Sequence, residues 1–221
     1  MIQKIIKYAI LLMSTLIVSM MAYANEAYNP PLPLVVGACI TCHGTGGSSV
    51  GPATPIIASF DSETFIDIME EYKDDERPST IMGRIAKGYT EKDFIVMADY
   101  FAKQAAVRYP QKVEAEKVKK GKKLHKKYCE RCHENEGNTD NDGTAIIAGQ
   151  WMPYLQFTLA DFYHGERDIP KKMKRRMVKM VKKHGEESLD DLIHFYGSQT
   201  QSDVEIEVEI EVEVEPVKKV E

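Results

Sequence analysis

Through the middle of this 221-residue chain, apolar side chains recur at intervals of three and four, with no strand-like alternation. Phe65, Ile68, Met69 and Tyr72 share one stripe of a helix predicted over residues 62–72. Phe94, Met97 and Phe101, bordered by Tyr100, form a second stripe over residues 90–105. A shorter helix is expected near residues 33–41, followed by a Gly/Ser/Pro-rich loop through Pro55. The second half of the chain predicts helices over residues 112–128, 153–162, 171–183 and 188–196. The pattern reads as an all-α fold of short helices gathered around loops.

Both ends depart from this pattern. Lys4 and Lys7 precede an apolar run over residues 10–20, and Ala22-Tyr23-Ala24 follows as a small-x-small cleavage site. Residues 1–24 are therefore expected to be a secretory signal, since the apolar run falls short of the ~20 residues a membrane-spanning helix needs. No other stretch is long and apolar enough to span a membrane, so none is expected after cleavage. Residues 204–214 alternate apolar residues with glutamate, but one isolated strand is not stable. An extended, acidic and solvated tail is expected over residues 203–221.

The chain also repeats itself at an offset of ninety residues. Ile57-Ala58 returns as Ile147-Ala148, Tyr72 as Phe162, and Glu76-Arg77 as Glu166-Arg167. A constant offset through several motifs marks a duplicated structural unit. The junction is expected near Tyr109-Pro110-Gln111, where a proline interrupts helix and a lysine-rich stretch begins. This divides the exported chain into two tandem domains, residues 25–110 and 111–202, ahead of the tail.

The same offset carries the chemistry. Cys39-Ile40-Thr41-Cys42-His43 recurs as Cys129-Glu130-Arg131-Cys132-His133, and these two pentapeptides use every cysteine in the chain. Cys-x-x-Cys-His is the attachment sequence of c-type haem: both thiols add across the porphyrin vinyl groups, and the adjoining imidazole binds iron. A structural zinc site would not need a histidine directly after each pair. A thioredoxin-like dithiol would occur once, beside a strand–helix–strand pattern that is absent here. Two covalently attached haem c groups are therefore expected, held at Cys39, Cys42 and His43, and at Cys129, Cys132 and His133. Haem c is attached outside the cytoplasm, which agrees with the export signal and points to the periplasm.

An electron-carrying haem needs a sixth iron ligand. His43 is the only histidine of the first half, leaving Met69, Met82 and Met97. Met69 and Met97 lie on apolar helical stripes and read as core. Met82, in Ser79-Thr80-Ile81-Met82-Gly83, is free to project into a haem crevice, where a thioether raises the potential. In the second half Met173 stands at the matching repeat position, while Met177 shares its helix face at i, i+4. His164, His184 and His194 match no repeat position and read as surface or capping residues. Each proximal imidazole also needs an acceptor for its other nitrogen. A carbonyl near Pro52 or Pro55 suits the first half, whereas the second half has no proline in that loop.

Charge changes the picture only in its distribution. Residues 25–110 carry 7 Lys/Arg against 12 Asp/Glu, residues 111–202 carry 18 against 14, and the tail carries 2 against 8. A basic half can signal nucleic-acid binding, but an exported haem protein rarely meets any, and no such partner is expected.

Several stretches resemble the dihaem cytochrome subunits of flavocytochrome c sulfide dehydrogenases, within the tandem class I cytochromes c. They are Ser49-Val50-Gly51-Pro52-Ala53, the run Ser79-Thr80-Ile81-Met82-Gly83-Arg84-Ile85-Ala86-Lys87-Gly88-Tyr89, Lys123-Leu124-His125-Lys126-Lys127-Tyr128-Cys129-Glu130, and Ala148-Gly149-Gln150-Trp151 with Pro153-Tyr154-Leu155-Gln156. The likeness covers about residues 33–200. It implies two cytochrome c-like domains about a pseudo-twofold axis, with axial pairs His43/Met82 and His133/Met173. It also implies that this chain is not itself an enzyme but the electron-transfer subunit of a sulfide-oxidising complex. A partner flavoprotein would carry FAD and oxidise sulfide, and a small soluble cytochrome would take the electrons onward. No Gly-x-Gly-x-x-Gly fingerprint for a flavin occurs in this chain. Two other functions fit the same motifs: a free-standing dihaem shuttle feeding a terminal oxidase, and a dihaem peroxidase. The peroxidase would need an open distal position, whereas both halves here offer methionine.

Overall fold

A computed structural model of the chain describes residues 32–139 and 144–200; the expected signal sequence and the expected acidic tail lie outside them. The described residues from Pro33 onward form one compact unit. Among the described residues there are helices and turns but no strand, so the fold is all-α.

Among the described residues, the first half holds four α-helices: α1 (Gly37–His43), α2 (Ser62–Lys73), α3 (Met82–Ala86) and α4 (Glu91–Ala102). Local chemistry fixes their starts. Asp61 caps α2 by accepting from the Thr64 N–H at 2.9 Å, and Thr90 with Asp93 closes a capping box on α4. Their apolar stripes then meet: Phe65 and Met69 of α2 bury against Phe94, Met97 and Phe101 of α4. Phe65 and Phe101 stack with centroids 5.7 Å apart. The predicted core positions Met69 and Met97 are 4% and 0% exposed. Helix α3 was not expected as a helix; five residues are too few to show a period.

The second half holds α5 (Ala115–Tyr128), α6 (Met152–His164), α7 (Lys171–His184) and α8 (Glu187–Gly197). Leu124, Leu155, Met180, Leu192 and Phe195 form its core. Helices α5 and α8 cross at Gly121, where an added Cβ would run into the Asp191 carbonyl and stand 2.6 Å from Phe195 Cβ. Only glycine permits that approach. Gly121→Val is therefore expected to cost about 3 kcal/mol or more, by overpacking at backbone contact. A denaturant midpoint shifted down with unchanged slope would show it; an unshifted midpoint would contradict the crossing.

The duplication is written into the backbone as well as the motifs. Gly47 O accepts from Ile57 and Ala58 N–H at 2.8 and 3.1 Å, and Gly137 O accepts from Ile147 and Ala148 N–H, both at 3.0 Å. Glu71 O takes the N–H groups of Glu76 and Arg77, and Asp161 O takes those of Glu166 and Arg167. Left-handed backbone recurs at the same offset, in Gly47 and Gly137, Ser59 and Gly149, and Asp75 and Gly165. Neither Ser59 nor Asp75 shows this in the sequence, because the first half spends non-glycine residues where the second uses glycine.

Residues 105–114 run between the halves without helix or strand. Close by, Gln150 is 4% exposed and clamps one residue of the other half twice. Ile56 N–H donates to Gln150 Oε1 at 2.9 Å, and Gln150 Nε2 donates back to Ile56 O at 2.9 Å. Trp151 Nε1 donates to Ser49 Oγ at 2.9 Å while its ring stacks on Tyr109. The halves are thus joined by directional hydrogen bonds as well as apolar contact.

Candidate haem sites

Helix α1 ends on its own histidine. His43 is 7% exposed, and its Nδ1 lies 2.9 Å from Pro55 O. A carbonyl only accepts, so Nδ1 carries the proton and Nε2 is left with its lone pair for a metal. Of the two prolines expected to offer a carbonyl, Pro55 is the one that does. Met82 opens α3 and packs half-buried on the first core. Two hydrogen bonds shape its loop: Gly83 N–H to Ser79 Oγ and Arg84 Nη2 to Thr80 O, both at 2.9 Å.

In the second half Cys129 stands at the C-terminus of α5, and a turn brings His133 N–H to Cys129 O at 3.0 Å. Cys129, Cys132 and His133 line a cavity of about 540 Å³. Met173, Met177 and Met180 of α7 line it too. Met177 and Met180 are 7% and 1% exposed, and Met180 belongs to the core. The geometry thus brings the predicted Met173 to the same cavity as His133, together with its rival Met177. The donor set of thiols, imidazole and thioether in a large apolar cavity fits a covalently attached haem.

Competing chemistries find less support. Burial raises the Cys39 thiol pKa and pushes that of Cys129 up to about 11, the opposite of what a reactive dithiol needs. Among the described residues, no three His, Cys, Asp or Glu side chains converge as a metal cluster would require.

The two proximal histidines differ. Among the described residues His133 Nδ1 has no partner, although it is buried. The counterpart of Pro55 is Ala145, and no acceptor equivalent to the Pro55 carbonyl meets His133 Nδ1 among the described residues.

His125 on α5 is 1% exposed; its Nδ1 lies 2.9 Å from Tyr196 Oη and its Nε2 lies 2.7 Å from Glu130 Oε2. Its helical position alone carried no signal, because burial here comes from α8. Burial lowers its pKa, with Glu130 opposing. A base whose folded pKa is lowered binds fewer protons folded than unfolded, so stability falls as pH drops through about 6.5. The unfolding midpoint is expected to fall on acidification, with a shallower slope in His125→Phe; equal slopes would refute this. His194, expected at the surface or as a cap, is buried and accepts from Glu114 N–H at 3.0 Å, beside the first turn of α5.

No family model matches the chain. It is 30% identical over 146 residues to cytochrome c4 of Azotobacter vinelandii, a match that covers 58% of this chain and 69% of that protein. It is 40% identical over 63 residues to the cytochrome subunit of sulfide dehydrogenase of Chlorobaculum tepidum. That shorter match covers 28% of this chain, which spans 56% of that relative. Reduced cytochrome c4 from Pseudomonas stutzeri superimposes with a TM-score of 0.64 at 22% identity, over 74% of this chain and 94% of the other. No helix among the described residues is long and apolar enough to cross a membrane.

Proposed function

The chain belongs to the cytochrome c4 family of dihaem electron carriers, and we propose that it is exported to the periplasm and accepts electrons from a flavoprotein that oxidises sulfide. His43/Met82 and His133/Met173 form the axial pairs in this reading. FAD resides on the partner, and a small soluble cytochrome takes the electrons onward. The domains are residues 25–110 and 111–202, joined near Pro110.

The observation that carries the sulfide reading is the 40% identity to a sulfide dehydrogenase cytochrome subunit. When bound, each haem supplies a one-electron site. The chain's own residues fix the proximal ring through Pro55, exclude water with apolar helix faces, and hold the two halves in register through Gln150 and Trp151. A second reading, a free-standing shuttle to a terminal oxidase, is favoured by the broader match to cytochrome c4.

Gel filtration of native extract separates the two. Co-elution of haem with flavin absorbance and sulfide-dependent haem reduction supports the flavoprotein partnership. Haem eluting alone, unreduced by sulfide in the presence of every other fraction, leaves the shuttle.

A further inference from the structure

The repeat places Arg77 and Arg167 at matching positions, five residues after an aromatic residue in each case. Each guanidinium lies over that ring: Arg77 over Tyr72 at 5.0 Å, and Arg167 over Phe162 at 4.5 Å from the centroid. Both line the cavity that holds Cys129, Cys132 and His133. An arginine of the first half therefore forms part of the second half's haem pocket.

Charge compensation between the two is uneven. Arg77 is 6% exposed; its Nη1 donates to Glu71 Oε2 at 3.0 Å and its Nη2 to Tyr154 Oη at 3.4 Å. Arg167 reaches the same Glu71 oxygen only at 3.9 Å, beyond hydrogen-bond distance. Its Nε is buried without a partner among the described residues. At the Glu71 repeat position the second half has Asp161, one methylene shorter. Burial lowers the Arg167 pKa, and the adjacent Arg77 charge lowers it further. Around the whole cavity, three carboxylates (Asp67, Glu71, Asp168) face five cations. A buried cation left unpaired is costly, and a planar guanidinium fork suits a carboxylate best.

We propose that Arg77 and Arg167 form one carboxylate cradle shared by the two halves, and that it takes a propionate of the haem attached at Cys129 and Cys132. The proposal rests on the haem reading of this cavity. It makes the potential of the second haem depend on a residue of the first half. A cation beside the macrocycle favours the reduced, less positive haem, so removing it favours oxidation.

The test uses the intact dihaem protein, with each haem titrated spectroelectrochemically. Arg167→Gln and Arg77→Gln are each expected to shift the second haem's equilibrium about tenfold towards the oxidised form, about 59 mV for one electron. Arg167→Lys keeps the charge but loses the fork, and should shift it less in the same direction. If the Gln variant loses its methionine–iron band, this Lys variant decides by the same readout. Acetate titrated into wild type should leave both potentials unchanged, because the cradle is already filled. Unmoved potentials in the Gln variants, a shift confined to the first haem in Arg77→Gln, or a wild-type response to acetate would each overturn the proposal. A protein without haem absorbance would instead overturn the haem reading on which it rests.

Discussion

Cys129→Ser/Cys132→Ser protein is expected to carry one haem instead of two and to lose the fold of its second half. The cavity beside these cysteines measures about 540 Å³ and is lined mainly by apolar side chains. At roughly 24 cal/mol per Å³, leaving it unfilled costs on the order of 10 kcal/mol. A whole domain is stable by only about 5–15 kcal/mol. The Leu124, Leu155, Met180 and Phe195 core does not withstand that loss, because Met177 and Met180 face the emptied space. Haem absorbance per chain should halve, and far-ultraviolet circular dichroism should lose a large part of its helical signal. The matching Cys39→Ser/Cys42→Ser variant should retain the second haem. A second half that stays fully helical in the Cys129→Ser/Cys132→Ser protein would show that a haem does not fill the cavity.

Met82→Ala is expected to abolish the weak near-infrared methionine–iron band of one haem while leaving its covalent attachment intact. The thioether stabilises reduced iron, and axial ligation spans a range of roughly 0.8 V. The potential of that haem should therefore fall by on the order of 0.1 V or more. Met69 and Met97 serve as controls: both are buried in the first core, so their loss should lower stability and leave the band in place. In the second half the same experiment chooses between neighbours on α7. Met173→Ala should remove the second band and Met177→Ala should not, although both side chains line the cavity. A surviving band in Met82→Ala would reject that residue as ligand, and loss of the band in Met177→Ala alone would exchange the assignment.

What was legible in the sequence follows from how far apart the interacting residues lie. The haem motifs could be read because covalent attachment demands two thiols and an imidazole within five positions. The stripe of Phe65, Ile68, Met69 and Tyr72 could be read because a long helix shows its buried face through its period. The five-residue helix at Met82 is too short to show one. Gln150 and Trp151 were visible as motif residues, but their hydrogen bonds to Ile56 and Ser49 join positions about a hundred residues apart. His125 and Gly121 take their meaning from the crossing of α5 and α8, which no local pattern announces. Glu76-Arg77 and Glu166-Arg167 were matched as repeats. That the two arginines meet at one cavity became clear only from the packing of the halves.

The family assignment and the motifs agree on two attached haems, and intact-mass spectrometry of the purified protein tests this most directly. The expected result is a chain heavier by two haem groups, with no free thiol among Cys39, Cys42, Cys129 and Cys132. A mature chain of unmodified mass with four alkylatable cysteines, from a host that matures other c-type cytochromes, would contradict it.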